Sequence, residues 1–92
     1  MNIRFIRDPH LILKRVGDCF IAYNERSGET VVLHDVAFQT LGILNTPMSF
    51  DSALSLLDLT NLHYESEQEI VDFVGSVFDE MLKRRFIHEV AQ

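Results

Sequence analysis

The sequence predicts an α+β domain in which a three-stranded antiparallel sheet packs with three α-helices. Three observations carry that expectation. Two β-prone runs flank Gly17-Asp18, the apolar spacing lengthens abruptly at Asp35, and Ser66-Glu67-Gln68-Glu69 has the spacing of a helix capping box. At 92 residues the chain has room for one small core, and 47% hydrophobic with 24% charged residues is a globular balance. A single domain over residues 10–90 is expected, preceded by an arm at residues 1–9.

The first nine residues mix basic and apolar side chains without a clear period, and Asp8-Pro9 closes them because the proline ring disfavours helix before it. They read as an arm or a short extended segment. Leu11-Ile12-Leu13-Lys14-Arg15-Val16 and Cys19-Phe20-Ile21-Ala22-Tyr23-Asn24 are β-prone, and Gly17-Asp18 supplies the positive φ of a tight hairpin turn. Glu25-Arg26-Ser27-Gly28 is a second polar turn, leading into a third strand at Glu29-Thr30-Val31-Val32-Leu33. These make a meander whose third strand lies at an edge.

From Asp35 the period becomes helical: Val36, Ala37, Thr40, Leu41 and Leu44 share one face of a first helix that ends near Asn45-Thr46-Pro47. Ser49 can cap a short second helix with Ala53, Leu54, Leu56 and Leu57 on its apolar side. A loop at Asn61-Leu62-His63-Tyr64 precedes the capping box of Ser66 and Glu69, which opens a third helix through Leu82. Lys83, Arg84 and Arg85 complement its negative dipole end, and Phe86 to Val90 alternates like a brief final strand. The apolar positions of the third helix cover about half its circumference, enough to serve two surfaces.

Composition excludes several partners. Lys and Arg number 8 against 14 Asp and Glu, a net charge of -6, so a nucleic-acid duplex or an anionic membrane would be repelled. The order of elements is that of a winged helix, yet a DNA reader should expose Arg and Lys along its third helix. Here that side carries Glu67, Gln68, Glu69, Asp72, Asp79 and Glu80. Cys19 stands alone, so neither an intramolecular disulfide nor a multi-cysteine metal site can form, which fits a reducing cytoplasm. No apolar run approaches the ~20 residues of a membrane span, and Met1 to His10 lacks the apolar stretch of a secretory signal.

Catalytic signatures are missing as well. Gly17, Gly28, Gly42 and Gly75 are isolated and form no phosphate loop. His10, His34, His63 and His88 sit in separate segments without metal-ligand spacing, and each reads as a surface or loop residue. Cys19 reads as a half-buried inert thiol, and Asp72, Asp79 and Glu80 as a solvated helix face. No catalysis, metal or cofactor is expected.

The third strand is the exception. Its edge would ordinarily be blunted by proline, lysine or a bulge, but Glu29 and Thr30 are followed by three apolar residues. Such an edge can accept an extended peptide as an additional strand. Cover by the opening arm, by the final strand or by a second copy of the chain is the alternative.

The succession Val16-Gly17-Asp18, Ser27-Gly28-Glu29-Thr30-Val31-Val32-Leu33 and His34-Asp35-Val36-Ala37, with Leu41 and Leu44, resembles the PqqD-like proteins, or RiPP precursor peptide recognition elements, from about His10 to about Glu89. The resemblance implies a small winged-helix-like domain that has no chemistry of its own. It would act as a chaperone, holding the leader of a ribosomally made precursor peptide along the third strand and against the third helix. A separate peptide-modifying enzyme, of radical or kinase-like type, would then act on the peptide. By position, the implied peptide-binding residues are Thr30, Val31, Val32 and Leu33 on the strand and Val71, Val74 and Phe78 on the helix. Three positions depart from the family pattern: His34 replaces a frequent asparagine, Leu41 a common aromatic residue, and Arg85 the usual glycine after the third helix. A nucleic-acid-binding winged helix and a homodimer through paired strand edges are the competing readings.

Overall fold

Eight elements follow one another in the structure, a computed structural model that describes residues 3–91: β1 (Ile3–Arg7), β2 (Leu11–Val16), β3 (Cys19–Asn24), β4 (Thr30–Leu33), α1 (Asp35–Ile43), α2 (Phe50–Leu56), α3 (Glu67–Lys83) and β5 (Ile87–Ala91). The α+β class, the three-stranded antiparallel sheet and the three helices are those predicted. The third strand of the meander is β4, and a second, two-stranded sheet is added by β1 and β5.

The β2–β3–β4 meander is set by its turns. Gly17 has φ 61, and Asp18 does not share the positive φ, as in a two-residue turn of type II′. At the next turn the Asn24 side chain accepts from the amides of Arg26 and Ser27, while Gly28, at φ 76, donates its amide to the Asn24 carbonyl. The resulting register places Tyr23 opposite Thr30 and Phe20 opposite Leu33. Leu11, Leu13, Phe20, Ala22, Val31 and Leu33 therefore share the face that turns toward the helices.

The opening stretch, read as an arm or a short extended segment, is the latter and more. β1 pairs with β5 over its whole length, Ile3 opposite Ala91 and Arg7 opposite Ile87. On its other side, Phe5 exchanges two backbone hydrogen bonds with Met48. Arg7 then closes the end of α1: its amide donates to the Leu44 carbonyl at 2.8 Å, and its guanidinium Nη1 to the Leu41 carbonyl at 3.0 Å. α1 has no basic residue in its own last turn, so Arg7 supplies the cation its dipole favours.

Each helix starts as its sequence suggests. His34 Nδ1 accepts the Ala37 amide, Ser49 Oγ the Ser52 amide, and Ser66 Oγ the Glu69 amide. The Glu69 carboxylate reaches one residue further back than in a standard capping box, accepting from Glu65 rather than Ser66. The core lies between meander and helices. Leu41, Leu44, Val74 and Phe86 are almost wholly buried there, and Phe78 meets Phe5 and Phe50 edge-on at 5.1 and 5.0 Å between ring centres. Across its shortest axis the molecule measures 19 Å, about two packed layers. Among the described residues, no helix is long and apolar enough to cross a membrane.

Candidate functional site: an open strand edge and its groove

β4 is bonded on one side only, to β3. The Asn24 amide donates to the Glu29 carbonyl at 2.9 Å, which fixes the parity of the ladder. By antiparallel alternation, Ala22 bonds with Val31 and Phe20 with Leu33, so the amides and carbonyls of Thr30 and Val32 point away from β3 to the outer edge. Among the described residues no strand pairs there. Val31 and Leu33 pack against the core, whereas Val32 is 69% exposed, an unusual setting for a β-branched apolar residue.

Along this edge runs a groove of about 160 Å³. Val31, Val32 and Leu33 form one bank, Val77, Glu80 and Met81 of α3 with its C-cap Arg84 the other, and Ala37 and Phe86 also line it. Val77 and Met81 make the α3 bank apolar. Glu80 and Arg84 form an exposed ion pair at 3.8 Å, which contributes little stability but leaves that end electrically balanced.

Past His34 the groove meets a wider cleft of about 560 Å³, lined by Phe20, Val36, Leu62 and Phe73 with Asp35 and Asp58 on its rim. His34 lines both spaces, and its ring lies 5.9 Å from that of Phe73. One side chain holds the rim together. Gln39 Nε2 donates to Asp35 Oδ2 and to the Asp58 carbonyl, each at 3.0 Å, while Gln39 Oε1 accepts the Asp58 amide at 2.7 Å. The hydroxyl and amide of Thr60 both donate to Asp58 Oδ1 and hold its carboxyl below the usual aspartate range.

The residues expected from sequence divide into two groups. Thr30, Val31, Val32 and Leu33 form the edge strand, three of them lining the groove. Of the α3 residues, Val74 and Phe78 are buried in the core, and Val71 lies on the opposite flank beside Leu54, Leu59 and Ile70. None of these three lines the groove. The groove is lined instead by Val77, Glu80, Met81 and Arg84, a stripe that Phe73 continues into the wider cleft, rotated roughly 100° around the helix, the angle of one residue step. Both stripes contain apolar residues at helical spacing, so periodicity could not choose between them. His34, read from sequence as a surface or loop residue, lies between the two clefts, and nothing local in the sequence signals that place.

Cys19 is exposed rather than half-buried, because its side of the sheet faces away from the helices. His88 bonds the Asp8 carboxylate at 2.6 Å, while Asp72, Asp79 and Glu80 are solvent-facing. Among the described residues no group of three His, Cys, Asp or Glu is placed to hold a metal ion.

No family model, no curated protein and no solved structure matches this chain.

Proposed function

We propose that this domain is a peptide-binding chaperone of the PqqD-like kind. It takes the leader segment of a ribosomally made precursor peptide as an added strand along β4 and presents it to a separate modifying enzyme in the cytoplasm. It contributes no chemistry of its own. The observation that carries this reading is the open row of Thr30 and Val32 backbone groups beside the apolar bank of Val77 and Met81. Backbone hydrogen bonds supply affinity in such an arrangement, and the adjacent hollows supply choice among side chains. A nucleic-acid reading is disfavoured by the exposed face of α3, where Glu67, Asp72, Asp79 and Glu80 would meet phosphate.

The test is an anisotropy titration with a labelled candidate leader peptide. Binding in the micromolar range or tighter is expected, on the order of -8 kcal/mol. Val32→Pro should weaken it roughly tenfold or more, because the substitution deletes an outward amide that an added strand needs. That amide has no role in the β3–β4 ladder, so the variant should keep its fold. A folded Val32→Pro protein that binds as well as the parent would remove β4 as the site.

A further inference from the structure

We propose that the cleft beyond His34 is a second subsite for the bound segment, and that it takes a bulky apolar side chain together with a neighbouring lysine or arginine of an extended peptide. The inference rests on the strand-addition reading and specifies which peptides that reading admits.

Continuity is the first support. β4 ends at Leu33 and α1 begins at Asp35, so a segment leaving the edge at that end passes over His34 within one or two residues, about 3.3 Å each. His34 lines both the groove and the cleft. Shape is the second. The cleft's volume of about 560 Å³ lies within the ~300–1,000 Å³ typical of ligand sites, and its walls are Phe20, Val36, Leu62 and Phe73. Phe73 remains 39% exposed there, although Val74 beside it is fully buried.

Charge selects the occupant. The Gln39 clamp draws Asp35 and the Asp58 segment to one rim. Each carboxylate commits one oxygen, Asp35 Oδ2 to Gln39 and Asp58 Oδ1 to Thr60, and its second oxygen receives no hydrogen bond from the described residues. Among those residues no lysine or arginine lies within ion-pair distance of either. The start of the α1 dipole offsets part of the Asp35 charge, but Asp58 lies outside that helix. At the other end Glu80 and Arg84 balance each other. The groove is thus neutral toward the end of α3 and anionic toward the start of α1. A cation next to an apolar residue complements the anionic end, and the overall charge of -6 steers such a segment inward.

The experiment pans a random peptide library displayed on phage against the parent protein, Asp35→Lys and Val32→Pro, each checked for folding by thermal unfolding. The parent should enrich peptides that pair a bulky apolar residue with a nearby Lys or Arg. Synthetic copies with that cation changed to Glu should bind the parent roughly tenfold more weakly, a readout that needs no protein variant. Asp35→Lys should lose the basic preference and keep the strand-forming part of the motif, whereas Val32→Pro should enrich nothing. Enriched peptides with no basic preference, or an unchanged preference on Asp35→Lys, would overturn the subsite and leave strand addition standing. A parent protein that enriches no peptide at all would overturn both.

Discussion

Arg85 adopts φ 62, a left-handed conformation that costs a residue with a Cβ about 1 kcal/mol. The reason is the exit from α3. The Phe86 amide donates to the Met81 carbonyl at 2.9 Å and the Arg85 amide to the Leu82 carbonyl at 3.1 Å, the two bonds of a Schellman cap whose left-handed position normally holds glycine. Arg85→Gly should therefore raise stability by about 0.5–1 kcal/mol, seen as a higher urea midpoint at unchanged slope. The departure from the expected glycine changed the cost of the helix exit and left its geometry intact. Asp8 is a second residue whose role is local. Burial raises its carboxyl, but the hydrogen bonds from His88 and the His10 amide, together with the charges of both histidines, outweigh this and hold it below the ordinary 3.8. A carboxyl lowered by folding stabilises the fold above its unfolded value and loses that contribution as pH falls through the folded one. The parent should thus lose stability more steeply than Asp8→Asn as pH drops below about 4, in urea unfolding followed across the acid range.

Among the described residues, β2, β4 and β5 each have a side that no strand covers, and they are not equivalent. β2 carries Lys14 and Arg15, which discourage an incoming strand, and β5 carries the exposed polar pair His88 and Glu89. β4 has Thr30 and Val32 outward and α3 alongside, which is why Val32→Pro should separate loss of the proposed binding from loss of fold. The meander and helix starts were legible because glycine turns, serine caps and a change of apolar period act within a few residues of one another. The α3 bank was not legible. Val71, Val74 and Phe78 and the stripe from Phe73 to Arg84 are both apolar enough to face something, and only the way α3 crosses the sheet decides which faces β4. Stability measurements separate the two roles: Phe78→Ala, which empties a buried aromatic site against Phe5 and Phe50, should cost about 3–5 kcal/mol. Val71→Ala, on an exposed flank, should cost less than about 1 kcal/mol in the same denaturant titration.

For the molecule as a whole, the decisive feature is closure by its two ends. β1 and β5 pair across eighty or more positions of sequence, and β1 also bonds to Met48 and to carbonyls at the end of α1. A domain of this size has about 5–15 kcal/mol of net stability, so the 3–5 kcal/mol expected for Phe78→Ala removes a large share of it. Phe78 sits where β1, α2 and α3 meet through Phe5 and Phe50, which makes that variant a probe of the closure. The closure also bears on the proposed function: β1 and β5 pair with each other, and among the described residues the β4 edge has no strand partner, although either end strand could in principle have covered it. What the sequence determined by itself was the class of the fold, the meander and the serine caps of α2 and α3, because these follow from interactions between near neighbours along the chain. The end-strand pairing, the bank of α3 that flanks β4, and the acidic cleft assembled by Gln39 were decided by tertiary structure. They depend on long-range packing geometry, and side chains that are equivalent in pattern can be told apart only once the helices have docked.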